Sequence, residues 1–215
     1  MSEYHYLVNE LYACVQGEGA LTGTPMALVR LQGCNLSCPW CDTVDAKQLE
    51  TTPGARSMTA RDIVVWFRSK GLLGGWVLLT GGEPGIWDLS RLVNELHYAG
   101  QAVALETNGT QPITASVDWM TVSPKLDVPR GIEIPTDNVR RASELKFVVG
   151  EREDLDAVDR FLAEGQGRHR RIDVPLLLQP KWGVEGATEL CHRAVILRGR
   201  PWRLSLQTHK FIGVD

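Results

Sequence analysis

Three cysteines fall within eight residues, in the run Cys34-Asn35-Leu36-Ser37-Cys38-Pro39-Trp40-Cys41. Thiolates are soft ligands, and three on one tight loop can reach three corners of a four-iron, four-sulfur cube. The fourth iron then stays open, as a catalytic metal requires, and the amino and carboxylate groups of an amino acid can chelate it. A structural zinc is the alternative, and it needs a fourth protein ligand to close its tetrahedron. The chain has no second CxxC and no HxxxH, so only Cys14, Cys191 or a remote histidine could complete that site. Spacing alone leaves both open. Cys14 and Cys191 stand apart and read as small buried hydrophobes.

Other polar groups have two readings each. Thr80-Gly81-Gly82-Glu83-Pro84 is a good strand-to-helix turn whatever else it does. Gln16-Gly17-Glu18-Gly19 reads as a plain turn with Glu18 solvated, or as a loop presenting Gln16 and Glu18 to a ligand. Arg30, inside an apolar run, suits either a structural ion pair or a bidentate grip on a ligand carboxylate. Thr43 offers a hydroxyl two residues past Cys41, fit for a helix cap or for an oxygen-loving magnesium. Lys125 read alone is a solvated charge, and His209 an exposed, idle ring.

The elements that must position these groups follow an α/β rhythm. Short apolar runs at Met26–Leu31, Trp76–Thr80, Ala102–Glu106, Trp119–Val122, Glu144–Val148, Leu176–Gln179 and Arg203–Leu206 read as strands covered on both faces. Thr59 can cap a helix bearing Ile63, Val64, Trp66 and Phe67, stopped by Gly71. Asp88 precedes Leu89, Leu92, Val93 and Leu96, with Gly100 as the stop. Leu155, Val158, Phe161 and Leu162 form a third stripe closed by Gly165, and Ala187–Leu197 a fourth helix. Thr107–Asp118 is turn-like, and Ser123–Ser143 leaves room only for a short helix near Asn138. More parallel strands than full helices implies an abbreviated, partly open parallel barrel, since a complete one takes ~250 residues. Ligands of such folds collect at the C-terminal strand ends. There stand Cys34, Gly81–Pro84, Glu106–Gly109, Ser123–Lys125, Gln179–Pro180 and Gln207–Lys210.

Bulk properties set the frame. The 215 residues suit one domain spanning 1–215, with no linker to part a second. A formal net charge of -3 argues against a general polyanion binder. The short basic run Arg168, His169, Arg170 and Arg171 lacks interleaved aromatics and reads as a solvated loop, so no nucleic-acid partner is expected. No stretch approaches the ~18–20 apolar residues of a membrane span, and Glu3 and Glu10 interrupt any secretory signal. A cytoplasmic chain with reduced thiols is expected.

Cys34, Cys38 and Cys41 match the CxxxCxxC signature of radical S-adenosylmethionine enzymes, with Trp40 the aromatic before the last cysteine. Thr80–Pro84 resembles their GGEP turn, in the right order after the cysteines. The resemblance implies a 4Fe-4S cluster on the three cysteines and S-adenosylmethionine on its open iron. It further implies cofactor contacts from Trp40, Cys41, Asp42, Gly82, Glu83, Ser123, Pro124, Lys125, Gln179 and Pro180.

A closer resemblance, from about residue 9 to the C-terminus, is to the 7-carboxy-7-deazaguanine synthase family. It is carried by Gln16–Gly19, Gly23, Arg30–Cys34, Cys41-Asp42-Thr43, Val122–Leu126, Leu178–Pro180 and Arg203–Lys210. It implies ring contraction of 6-carboxy-5,6,7,8-tetrahydropterin with loss of ammonia, on the route to queuosine and other 7-deazapurines. In that chemistry a 5′-deoxyadenosyl radical takes hydrogen from the carbon bearing the carboxylate, magnesium assists, and the cofactor is regenerated. Substrate contacts are implied for Val15, Gln16, Gly17, Glu18, Arg30, Thr80 and His209, and a magnesium ligand at Thr43. A homodimer and an electron donor such as flavodoxin or ferredoxin also follow from the resemblance. Cys14 departs from it, since no fixed cysteine is expected there. A glycyl-radical activase would lack the small-anion set Gln16, Glu18, Arg30 and Thr43. A zinc-stabilised or electron-transfer module would cleave no cofactor.

Overall fold

A computed structural model of the chain describes residues 3–48, 54–126, 133–168 and 174–214. These form nine strands: β1 (His5–Val15), β2 (Pro25–Leu31), β3 (Arg56–Thr59), β4 (Trp76–Gly81), β5 (Ala102–Thr107), β6 (Trp119–Val122), β7 (Glu144–Val149), β8 (Leu176–Pro180) and β9 (Trp202–Leu204). All belong to one sheet in the order β3-β1-β2-β4-β5-β6-β7-β8-β9. From β2 to β9 every neighbouring pair is parallel. The sheet does not close on itself, which is the partly open barrel expected from the sequence.

Side chains alternate between its two faces. Val29 and Leu31 of β2, Val77 and Leu79 of β4, Val103 and Leu105 of β5, and Leu145 and Phe147 of β7 are buried in the main core beneath the helices. The intervening Met26, Leu28, Leu78 and Ala104 form a smaller apolar cluster on the other face. Further along that face, toward the C-terminal strand ends, Arg30, Thr80, Glu106, Lys146 and Gln179 line a cavity. An apolar floor therefore carries a polar mouth.

Six α-helices accompany the nine strands among the described residues: α1 (Ala60–Ser69), α2 (Ser90–Tyr98), α3 (Thr136–Arg141), α4 (Arg152–Arg168), α5 (Ala187–Arg198) and α6 (Thr208–Ile212). Thr59 caps α1 in a reciprocal box with Asp62, and Ile63, Val64 and Phe67 are its buried stripe. Ser90 N–H donates to Asp88 Oδ1 at 3.0 Å where α2 begins, and Leu92, Val93 and Leu96 are fully buried. The short helix around Asn138 is α3.

Some elements differ from the sequence reading. Two strands, β1 and β3, join antiparallel at the β2 edge. β1 escaped notice because its register slips between Val8 and Glu10, which breaks the period-two pattern. β3 has four residues with one buried side chain, Thr59. α4 runs through Gly165 to Arg168, since a glycine inside a helix costs only about 1 kcal/mol. β9 ends at Leu204, and α6 follows it. The basic run from Arg168 extends outside the described residues. No helix among the described residues is long and apolar enough to cross a membrane.

Candidate functional site

The cavity holds about 1150 Å³. Of the residues singled out by sequence, Val15, Gln16, Gly17, Glu18, Arg30, Cys34, Cys38, Trp40, Cys41, Asp42, Thr43, Thr80, Gly82, Ser123, Lys125, Gln179 and His209 line it. Glu83, Pro124 and Pro180 do not: Glu83 is sealed behind the wall, and Pro124 faces a small separate pocket beneath Trp40.

The cysteine loop is held by main-chain bonds. Gly33 N–H donates to Ala46 O at 2.7 Å, Cys34 N–H to Lys47 O at 3.0 Å, and Glu83 N–H to Gly33 O at 2.8 Å. Lys47 Nζ reaches Cys38 O at 2.7 Å. The close approach needs a glycine at 82, where an added Cβ would lie 2.3 Å from Gly33 O and 2.6 Å from Ala46 O. None of the three cysteines is in a disulfide among the described residues. Burial pushes the Cys34 thiol up, opposed by the Leu36 N–H that donates to its sulfur. No three His, Cys, Asp or Glu side chains among the described residues converge as a single ion requires. The three cysteines border one cavity, and a structural zinc there would need a fourth protein ligand.

Thr43 occupies the N-cap position of a 3-10 turn, Val44–Lys47, yet its side chain makes no capping bond. Its hydroxyl lies 3.5 Å from Cys41 Sγ, at the cavity wall. Cys191 sits in the apolar core, its thiol pushed up to about 12 by burial. Cys14, just before the Gln16–Gly19 loop, borders the cavity.

Glu83 ties three segments together. Its Oε1 accepts from Gly85 N–H at 2.7 Å and Thr107 Oγ1 at 2.6 Å, and its Oε2 from Asn108 N–H at 2.6 Å. Asn108 Nδ2 in turn donates to Asn35 Oδ1, inside the cysteine loop, at 3.1 Å. Burial raises the carboxyl's pKa, and these donors oppose the rise. Nearby, Lys125 Nζ donates to Ser123 Oγ at 2.7 Å and lies 5.7 Å above the Trp40 ring. Burial, then the charge of Lys146, lowers its pKa. It is no solvated surface lysine.

The Gln16–Gly19 loop crosses from β1 to the far strands of the open sheet. Gly19 N–H donates to Ser205 Oγ and Ala20 N–H to Glu144 Oε2, both at 3.0 Å. Gly17 O accepts from Thr208 N–H at 2.9 Å. A Cβ on Gly17 would strike His209 Nδ1, and one on Gly19, whose φ is +69°, would strike Glu144 Oε1. These contacts place Glu18 at the cavity. Lys146 Nζ donates to Glu18 Oε2, and to Glu106 Oε2 at 2.9 Å. Gln179 and Gln207 donate to Glu18 at 3.0 and 2.8 Å, and Gln16 to Glu106 at 3.0 Å. Burial opposes ionisation of Glu18, but the Lys146 ammonium and the amide donors outweigh it and hold the carboxyl at about 2.

Arg30 Nε donates to Glu10 across the β1–β2 pair, so its guanidinium reaches the cavity already bearing one carboxylate partner. Asp42, next to Cys41, accepts from Lys210 of α6 and from Gln207. Sequence reading missed Lys146 altogether and left Glu106 and Gln207 as anonymous strand-end positions. The usable signal was a lysine in the middle of the otherwise apolar Leu145–Val149, where a buried ammonium demands carboxylate partners.

An open parallel sheet with three thiols on the loop after its first parallel strand defines a radical S-adenosylmethionine protein, and residues 28–144 match the Radical SAM superfamily. The 7-carboxy-7-deazaguanine synthase of Escherichia coli (strain K12) is 36% identical over 97% of this chain and 99% of its own. That of Bacteroides thetaiotaomicron is 38% identical over 96% of this chain and 97% of its own. The crystal structure of QueE from Escherichia coli superposes with a TM-score of 0.83 at 34% identity, covering 95% of each chain. The chain belongs to the 7-carboxy-7-deazaguanine synthase family.

Proposed function

We propose that this protein is a carbon–nitrogen lyase that contracts 6-carboxy-5,6,7,8-tetrahydropterin to 7-carboxy-7-deazaguanine with release of ammonia, in queuosine biosynthesis. The observation that carries the reading is spatial: the three-thiol loop and the Gln16–Glu18, Arg30 and Lys146 groups border one cavity. Cys34, Cys38 and Cys41 would hold the 4Fe-4S cluster, leaving one iron open. With S-adenosylmethionine bound there, the pair supplies one-electron reductive chemistry and hydrogen abstraction from the substrate.

The chain's own residues bind, orient and shield. The Gly82 backbone, braced by Glu83, borders the cavity where an amino-acid ammonium would lie, and Trp40, Asp42, Ser123, Lys125 and Gln179 would surround the rest of the cofactor. Glu18 and Glu106, held together by Lys146, accept from pterin N–H groups, while Gln16, Thr80 and His209 add polar contacts. Arg30 offers its remaining guanidinium N–H groups to the substrate carboxylate. Thr43, whose hydroxyl caps nothing, would be the residue to hold a magnesium, an oxygen-loving ion that would supply charge stabilisation for the substrate. The same reading takes residues 1–215 as one domain of a cytoplasmic homodimer reduced by a flavodoxin or ferredoxin.

The test is anaerobic turnover of 6-carboxy-5,6,7,8-tetrahydropterin by reconstituted, reduced protein, with the product identified by mass. Product should form and rise with magnesium, and Thr43→Ala should raise the magnesium requirement without loss of iron. Cofactor cleavage without 7-carboxy-7-deazaguanine would contradict the reading.

A further inference from the structure

Lys146 stands on the cavity face of β7, its side chain 4% exposed, between two carboxylates from other elements. Glu18 comes from the loop after β1 and Glu106 from the end of β5. A buried ammonium persists only where charge and hydrogen bonds compensate its desolvation. An ionised carboxylate only accepts, with about four lone-pair sites. Lys146, Gln179 and Gln207 occupy three sites on Glu18, and Lys146 and Gln16 two on Glu106. About one site on Glu18 and two on Glu106 therefore remain for a ligand. A molecule meeting that wall must bring N–H groups.

We propose that Lys146 is the positioning residue that holds Glu18 and Glu106 as a paired acceptor wall, and that this wall selects heterocycles with a guanidine-like edge. Such an edge sets an exocyclic amino group beside a ring N–H. An analogue with a carbonyl in place of the amino group turns an acceptor toward the carboxylate oxygens, losing a hydrogen bond and adding repulsion. Without Lys146, two carboxylates left close together repel until one takes a proton or turns away, and the wall no longer accepts throughout. This inference rests on the proposed pterin substrate and deepens it.

The test is equilibrium binding of 6-carboxypterin and 6-carboxylumazine, which differ at that amino or carbonyl group, to full-length reconstituted protein with S-adenosylmethionine. Both are fluorescent and neither turns over. The wild type should prefer the pterin by about 100-fold or more, since a site built for an N–H rejects the analogue lacking it. Lys146→Met should narrow the preference to about tenfold or less, with iron content and S-adenosylmethionine binding retained. Lys146→Met combined with Glu106→Gln should narrow it to a similar extent, because the lysine acts through the carboxylate. The double variant leaves fewer uncompensated buried charges, so it carries the test if the single variant does not fold. A wild type that binds the pterin tightly without preferring it overturns this inference and leaves the proposed function standing. A wild type that binds neither compound overturns both. A folded variant with an unchanged preference, or with equal loss of pterin and S-adenosylmethionine binding, makes Lys146 plain scaffold.

Discussion

Adding one methyl group at Gly82 should disrupt the junction between the cysteine loop and the end of β4. A Cβ there would lie 2.3 Å from Gly33 O, 2.7 Å from Gly33 C and 2.6 Å from Ala46 O. All three are backbone atoms, so no side chain can swing aside. Relief requires moving the Gly33 carbonyl, which accepts from Glu83 N–H, and the Ala46 carbonyl, which accepts from Gly33 N–H. Overpacking costs about 1–3 kcal/mol, and each weakened hydrogen bond about 1 kcal/mol. A loss of about 3 kcal/mol would lower Tm by roughly 6–12 °C in a chain of this size. Gly75→Ala is the control: its added Cβ meets nothing within 4 Å, so its melting should stay within about 0.5 kcal/mol of wild type. Thermal melting of the apoprotein, with iron content and S-adenosylmethionine binding after reconstitution, reads the outcome. Gly82→Ala should melt lower and bind the cofactor poorly. If it melts like Gly75→Ala and binds normally, the tight approach of turn and loop has been misjudged.

Other expectations concern the thiols and the buried carboxylate. Alanine at Cys34, Cys38 or Cys41 should abolish S-adenosylmethionine cleavage, while Cys14→Ala and Cys191→Ala should keep the iron content, measured by iron assay and chromatography of cleavage products. Glu18 has its carboxyl lowered from 4.5 to about 2 in the fold. A depressed carboxylate pKa stabilises the native state above the unfolded value, and that stability is lost as pH falls through the window between the two. Acid unfolding of the wild type should therefore steepen between pH about 4.5 and about 2, and Glu18→Gln should flatten that part of the curve.

The cysteine loop was legible because its chemistry is local: ligand spacing survives without tertiary structure. The parallel strands were legible because helices cover their outer face, so Val77–Leu79 and Val103–Leu105 read as apolar runs. The inner polar network was not, because its partners lie far apart in the chain. Lys146 meets Glu18 across 128 positions, and Gln207 meets Glu18 across 189. β1 was missed for a local reason, the slip at Glu10 that shifts Leu11 rather than Glu10 into the core. Thr43 shows the opposite limit. Its position matches a helix cap, and only the structure shows that the hydroxyl caps nothing.

The most direct test follows a single hydrogen. 6-Carboxy-5,6,7,8-tetrahydropterin deuterated at the carbon bearing its carboxylate would be turned over anaerobically by the reduced, reconstituted protein, and the S-adenosylmethionine re-isolated for mass analysis. Radical abstraction in the cavity shared by the cysteine loop and the Glu18–Lys146–Glu106 wall should carry deuterium to the 5′ carbon of the adenosyl group. Formation of 7-carboxy-7-deazaguanine with no deuterium in the cofactor would contradict it.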